Sequence, residues 1–252
     1  MKDAIKKFLP KKVKKIIKKL LSLRYLYRFF TNYKQFVNNG GKITKLCPVL
    51  SNFNSSAGLD KGHYFHQDLL VASYINKANP ERHIDIGSRI DGFVAHVASF
   101  REIEVMDIRE LNPLKHKNIK FIQSDLMQYD DKYNDATDSI SCLHAIEHFG
   151  LGRYGDPINP NGHIAGFKNI LKMLKKNGML YISFPIGKEN QVLFNIHRIF
   201  DPKDIFKWSD EKLELQKFDF VDDNGDLHID FPIKEKNIVA NFGLGIYSFC
   251  KK

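Results

Sequence analysis

Two histidines and a glutamate, His144, Glu147 and His148, stand within five residues at the end of an apolar run, and they are the groups best suited to move a proton. Imidazole titrates near neutrality, so either histidine could assist an acceptor hydroxyl as a base. The order is H-x-x-E-H rather than the H-E-x-x-H of helical zinc sites. No third ligand is evident nearby, and no metal is expected. At i, i+4 spacing on a helix both imidazoles would share one face. Hydrogen bonding that merely supports the loop is the alternative role. A second set is acidic: Asp85, Asp107 and Asp125 follow successive apolar runs. A lone aspartate after a strand is commonly a cap or turn residue. Three in register suggest one polar pocket.

Residues 82–93, Arg-His-Ile-Asp-Ile-Gly-Ser-Arg-Ile-Asp-Gly-Phe, show how these groups would be positioned. Ile84 and Ile86 read as a buried strand, Gly87 and Gly92 as a tight loop, and Phe93, Val94, Val97 and Ala98 as the helix that follows. This is where open α/β sheets bind nucleotides, with glycine admitting close backbone approach and helix-start amides favouring polar groups. Asp107 lies 22 residues after Asp85, the distance at which a carboxylate can accept ribose hydroxyls. Further strands are expected at Ile119–Gln123, Ser139–Leu143 and Met179–Phe184, with helices at His66–Ala78 and Phe167–Lys176. Alternating strands and helices imply a parallel sheet with crossovers. The tail reads as a helix near Pro202–Trp208 and strands at Leu213–Val221, Leu227–Phe231 and Leu244–Cys250. The long loop from Phe149 to Gly162 carries Arg153, Tyr154 and Asp156, with His163 just beyond. It could form an acceptor pocket or a flexible lid. His197 and Arg198 could approach from the other side, although a helix surface suits them better.

Ile84-Asp-Ile-Gly87, Val105-Met-Asp107, Gln123-Ser-Asp125, Leu143-His-Ala-Ile-Glu-His148 and Leu174-Lys-Lys-Asn-Gly-Met-Leu-Tyr-Ile-Ser-Phe-Pro185 together resemble class I S-adenosylmethionine-dependent methyltransferases over about residues 63–185. The Asp-Ile-Gly-Ser-Arg-Ile-Asp-Gly run is similar to a little-characterised bacterial family whose members often accompany surface-glycan genes. The resemblance implies a doubly wound, Rossmann-like, mostly parallel sheet with a late antiparallel hairpin, and S-adenosylmethionine as cofactor. It further implies that Asp85 and Gly87 shape the methionine-side loop, Asp107 holds ribose and Asp125 holds adenine. His148, or else His144, would assist the acceptor, and Arg153, Tyr154 and His163 would bind it. The loop departs from D-x-G-x-G-x-G, since Arg89 and Asp91 replace two glycines. Arg89 could clamp the methionine carboxylate, fill the pocket, or turn outward to pair with Asp91.

Eleven of the 39 lysines and arginines and one of the 29 acids fall within residues 1–30, so the rest of the chain is balanced and the net +10 belongs to this segment. Nucleic-acid binding by the main domain has no electrostatic support. Leu9, Val13, Ile16, Ile17, Leu20 and Leu21 form one stripe among lysines, the pattern of a basic amphipathic helix able to lie on an anionic membrane surface. A helix packed on the core, or a disordered basic arm, is the alternative. The expected organisation is a helical extension over 1–37, a linker over 38–62 and an α/β domain over 63–252. Cys47, Cys142 and Cys250 lack metal-like or disulfide spacing, which suits a reducing cytoplasm, peripheral to the inner membrane face. The leading expectation is O-methylation of a sugar or phosphorylated glycan precursor. The rivals are a degenerate, membrane-attached interaction module and a nucleotide-sugar enzyme using a dinucleotide. No G-x-G-x-x-G, Walker loop or G-x-S-x-G occurs.

Overall fold

The computed structural model describes residues 23–50, 52–53, 55–128 and 130–252. It divides into two units, residues 1–59 and 60–252. In the first, one helical turn at Leu23–Tyr25 leads into α1 (Leu26–Asn38), none of whose side chains is buried. Most of the basic amphipathic segment expected over residues 1–30 lies outside the described residues.

The second unit is a three-layer α/β/α domain. Its eight-stranded sheet runs β3-β2-β1-β4-β5-β10-β8-β9, from β1 (His83–Ile86), β2 (Ile103–Asp107), β3 (Ile119–Gln123), β4 (Thr137–Leu143), β5 (Leu174–Ile186), β8 (Leu213–Val221), β9 (Leu227–His228) and β10 (Gly243–Lys251). Strands β1 to β5 are parallel, whereas β10 is antiparallel to both β5 and β8. The expected Rossmann-like sheet with a late antiparallel hairpin is therefore present.

The period-2 alternation of the strands feeds two separate cores. Leu180, Ile182 and Phe184 of β5 pack with Ile84, Ile140 and the helix α4 (Gly162–Met173) on one face. Tyr181 packs with Ile103, Val105, the helix α2 (His63–Ala78) and the short helix α3 (Ala95–Ala98) on the other. Each fully buried isoleucine or phenylalanine contributes about 1.5–3 kcal/mol. Buried polar groups of β1 and β4 partner one another. His83 sits between the hydroxyls of Ser139 (2.8 Å) and Ser141 (3.1 Å), and Ser141 donates onward to Asp85 at 2.6 Å.

Three boundaries differ from expectation in ways that matter. Helix α2 begins at His63 rather than His66, which adds His63 and Tyr64 to an ordered element. Helix α4 stops at Met173, not Lys176. Leu174 is fully buried as the first residue of β5, and Asn177, at φ 61°, makes a bulge between the pairings Thr137–Leu174 and Ser139–Met179. The strand expected to run to Phe231 ends at His228. A two-stranded hairpin, β6 (Gln191–Leu193) and β7 (His197–Ile199), was not expected at all. It turns at Asn195, which adopts φ 62°.

The order of strand addition reverses between the parallel neighbours β1 and β4: β2 and β3 extend the sheet one way, β4 and β5 the other. The carboxyl ends of such neighbours splay apart and leave a crevice between their loops. Gly87 follows β1 and His144 follows β4, so the fold puts both at its mouth.

Candidate functional site

A cleft of about 800 Å³ opens there, walled by the loops after β1, β2, β3 and β4, the start of α2, the β6–β7 hairpin and Phe242. Its first half is built by the aspartates. Asp85 is 0% exposed and lies behind the loop, not in the wall. Its carboxylate accepts from the Ser88 amide (3.0 Å), the Ser88 hydroxyl (2.8 Å) and the Ser141 hydroxyl (2.6 Å). Burial pushes its pKa up to about 7 against those hydrogen bonds. The expectation that carboxylates 85, 107 and 125 converge on one pocket is thus corrected, since Asp85 shapes the loop from beneath. Gly87, in the wall, adopts φ 75°, and a Cβ there would meet that of Ala145 at 2.8 Å. Only glycine allows this crossing of the β1 and β4 loops.

Asp107 and Asp125 do line the cleft. Asp107 accepts from the backbone amide and Nε of Arg109, both at 2.9 Å, and its second oxygen from the Arg109 Nη2. Three of its roughly four lone-pair positions are filled, leaving one. Asp125 uses one oxygen to accept the Met127 amide at 2.9 Å, while its Oδ2 is buried with no partner. A buried carboxylate oxygen without a donor is costly, and its place in a cleft wall marks it for a ligand's N–H or O–H. Arg89 takes the outward course, pairing with Asp91 (Nε–Oδ1 3.0 Å, Nη2–Oδ2 2.7 Å) with its side chain 68% exposed. It stands at the rim without filling the cavity.

The second half is ringed. Glu147 is 0% exposed, accepts from His144 Nδ1 at 2.6 Å, and lies 3.7 Å from His148 Nε2. Burial opposes its ionisation, but attraction to His144 and the hydrogen bond from it prevail, holding the carboxyl below its ordinary range. Its Oε2 has no partner. His144 and His148 do not share a helix face. His144 is left-handed (φ 51°), ahead of a single turn at Ile146–His148, and both rings lie near the same Glu147 oxygen, Oε1. His144 Nε2 meets His63 Nδ1 at 3.2 Å, and the His63 ring lies tilted against Phe242 at 5.3 Å. Phe242 stacks on His197 at 5.4 Å, and His197 lies 6.4 Å from His148. These contacts close a circuit: Glu147, His144, His63, Phe242, His197, His148 and back to Glu147. Burial drives His63 down to about 4 and lowers His148 and His197, so these three imidazoles are neutral near neutral pH. His148 Nδ1 donates to the Ile196 carbonyl at 2.7 Å, leaving Nε2 as its acceptor nitrogen.

The loop after β4 is tied down from within. Asp156 accepts the amides of Gly150 (2.8 Å), Gly152 (3.1 Å) and Tyr154 (3.1 Å). Tyr154 lies in the wall between the guanidinium groups of Arg109 (4.6 Å) and Arg153 (5.2 Å), and Arg153 also donates to the Ile196 carbonyl at 2.9 Å. His163 is not part of the cleft. It packs on Phe200 and Trp208 at 5.3 and 5.4 Å, where burial lowers it to about 4, so its expected acceptor role is withdrawn. Arg198 is no helix-surface residue either. It is buried in β7, its Nη1 donating to the Phe149 carbonyl at 2.7 Å and its Nη2 to that of Pro160 at 3.1 Å. His63, Tyr64, Gln67, Asp68, Arg109 and Phe242 are wall residues that the sequence reading missed. Among the described residues no group of three or more histidines, cysteines or carboxylates could hold a metal ion.

No curated protein matches the sequence. A family model described as Caenorhabditis protein of unknown function, DUF268, matches residues 94–206. Among solved structures, the [4+2]-cyclase SpnF superposes with a TM-score of 0.54 at 12% identity, covering 93% of this chain and 96% of its own. The YcgJ protein of Bacillus subtilis gives 0.50 at 13% identity, over 74% of this chain and 98% of its own. A Bacillus halodurans protein described as a putative methyltransferase gives 0.50 at 14%, over 71% and 98%. The fold is that of the Rossmann-like methyltransferases. It does not by itself dictate a reaction, as a cyclase among these neighbours illustrates.

Proposed function

We propose that this chain is an S-adenosylmethionine-dependent methyltransferase acting on a hydroxyl of a sugar or phosphorylated glycan precursor. The observation that carries the cofactor assignment is the buried, unpartnered Asp125 Oδ2 in the same cleft as Asp107. An adenine amino group would donate to that Oδ2, and a ribose hydroxyl would take the free position on Asp107. The loop at Gly87 would pass beneath the methionine portion, with Arg89 released from Asp91 to meet its carboxylate. The glycan part rests on the resemblance of the Asp85–Gly92 loop alone. The likeness to the Bacillus halodurans protein supports the fold.

When bound, S-adenosylmethionine supplies an activated methyl group. The protein's part is alignment, water exclusion and proton handling, and alignment alone can be worth about 7–11 kcal/mol. His148, neutral and anchored by Ile196, takes the acceptor proton at Nε2. Glu147, 3.7 Å away, then stabilises the imidazolium. Arg153 keeps guanidinium N–H groups for a phosphate, and Tyr154 covers the cleft between the two arginines. Calorimetry with S-adenosylhomocysteine tests the assignment. The wild type is expected to bind it, and Asp107→Ala to lose it while retaining its thermal midpoint. Binding of NAD in its place, or undiminished affinity in Asp107→Ala, would overturn it.

We also propose that the basic segment within residues 1–30 holds the protein on the anionic cytoplasmic membrane face. Its charge supports this, as do Tyr27, Phe30 and Phe36, exposed on α1. No helix among the described residues is long and apolar enough to cross a membrane. In liposome flotation, binding is expected with anionic vesicles and not with neutral ones, and equal binding to both would refute it.

A further inference from the structure

Arg89, Arg109 and Arg153 line the cleft, and the first two are engaged by Asp91 and Asp107. Arg153 has no carboxylate within ion-pair distance among the described residues. Its Nη1 donates to the Ile196 carbonyl at 2.9 Å, and its guanidinium lies 5.2 Å from the centre of the Tyr154 ring. The acids of the cleft are placed elsewhere. Asp68 stands at the β1 loop, where a Cβ on Gly92 would meet its Oδ2 at 3.1 Å, Asp125 follows β3, and Glu147 is compensated by His144. Asp156, in the same loop as Arg153, is buried and gives its carboxylate to three backbone amides. Arg153 is therefore free to hold an anion. It shares the Ile196 oxygen with His148, so that anion would lie beside the base of the proposed transfer.

The outer side of this corner is apolar. The β6–β7 hairpin presents Ile196 to the cleft and also carries Val192 and Phe194, which are 64% and 67% exposed. Ile158 packs on Gly152, next to Arg153, where a Cβ would meet its Cδ1 at 2.7 Å, and it too is exposed. Phe242 continues the rim, stacked on His197 of β7 at 5.4 Å. The hairpin is anchored by other residues, the buried Arg198 and Ile199. Apolar side chains scattered singly over a surface are ordinary, but a group of them framing one opening marks a binding site. A docked protein or a second copy of this chain would cover the mouth, because Arg153, Ile196 and Phe242 belong to rim and wall alike. One ligand with an apolar tail on the rim and a polar head in the cleft uses both surfaces.

We propose that the acceptor is a lipid-linked phosphate. Arg153 holds the phosphoryl group, the sugar beyond it passes inward to His148, and the hydrocarbon chain lies along Ile158, Val192, Phe194 and Ile196. This rests on the methyltransferase reading and narrows its acceptor to a membrane-borne one. A water-soluble sugar phosphate would engage Arg153 and leave the rim idle. A neutral lipid would do the reverse.

Calorimetry below the micellar range, with alkyl phosphates of two lengths, tests this. A fully buried methylene is worth about fourfold in affinity. On an open rim that covers only part of each, decyl phosphate is expected to bind about tenfold more tightly than hexyl phosphate, and inorganic phosphate more weakly than either. The neutral decyl maltoside should bind about tenfold more weakly than decyl phosphate. Arg153→Gln should remove that headgroup preference and keep the dependence on chain length. The double variant Val192→Ser, Phe194→Ser should do the opposite. Equal affinity for hexyl and decyl phosphate, no binding of either, or equal binding of decyltrimethylammonium would overturn the proposal. So would a dimer in sedimentation that Phe194→Ser dissolves, since the rim would then belong to a second copy. Titration of S-adenosylhomocysteine in parallel keeps the two ideas apart. Decyl phosphate bound without any adenosyl ligand would leave the lipid subsite standing and remove methyl transfer. The converse would remove the lipid-linked acceptor alone.

Discussion

Asp85→Asn should make the protein more resistant to alkaline conditions, because Asp85 is a carboxyl that the fold holds against its preference. The residue is fully buried, and burial raises its pKa from 3.8 to about 7 despite the three hydrogen bonds it accepts. Below about pH 4 folded and unfolded chains both keep the proton, and burial of the neutral acid is harmless. As pH rises from there to about 7, the unfolded chain has released the proton while the folded chain retains it, so stability falls. The loss is complete above the folded pKa. A gap of roughly three pH units corresponds to about 4 kcal/mol in all. Asparagine cannot ionise and keeps an oxygen to accept from Ser88 and Ser141. Urea unfolding of both proteins at about pH 5 and about pH 8.5 isolates the effect, since every other titrating group cancels in the difference. The variant is expected to gain about 3 kcal/mol on the wild type across that interval. Parallel stability curves would refute the reasoning and show that Asp85 ionises at its ordinary pKa.

Two further substitutions probe the scaffold. Gly87→Ala places a Cβ 2.8 Å from that of Ala145 at φ 75°; a loss of at least about 2 kcal/mol in denaturant unfolding is expected, and a neutral result would mean the two loops separate freely. Asp156→Ala removes the acceptor of three backbone amides in the loop after β4. Limited proteolysis should then cut within residues 149–160 while the midpoint of global unfolding moves by only a few degrees, as expected for loss of about 2–3 kcal/mol of largely local stabilisation. Unchanged protease resistance would show that the loop is held by other contacts.

The sheet and half of the cleft were legible because their information is local. Alternating apolar residues ending in Asp107, or in Gln123-Ser-Asp125, declare both a strand and the polar group at its carboxyl end. Gly87 announces itself by following a buried strand. The ring circuit was not legible, because it is assembled from distant pieces. His63 and His144 are 81 residues apart in sequence, and Phe242 arrives from the far end of the chain. Arg109 sits only two residues beyond Asp107, yet nothing in the sequence says that it folds back onto it. The hairpin at 191–199 has two three-residue strands, too short for alternation to register. This is why Arg198 was assigned to a surface when it is the buried donor that binds the β4 loop's carbonyls. His163 misled for the opposite reason. Its place beside a glycine-rich loop suggested a ligand, whereas the helix turns it onto Phe200 and Trp208.

Crystals grown with S-adenosylhomocysteine give the most direct test of the central claim, that this cleft is an adenosyl site. The adenine amino group is expected within hydrogen-bonding distance of Asp125 Oδ2, with a ribose hydroxyl on Asp107 and the thioether directed toward Glu147. A nucleoside bound elsewhere, or bound in the cleft with Asp125 Oδ2 still lacking a donor, would contradict it.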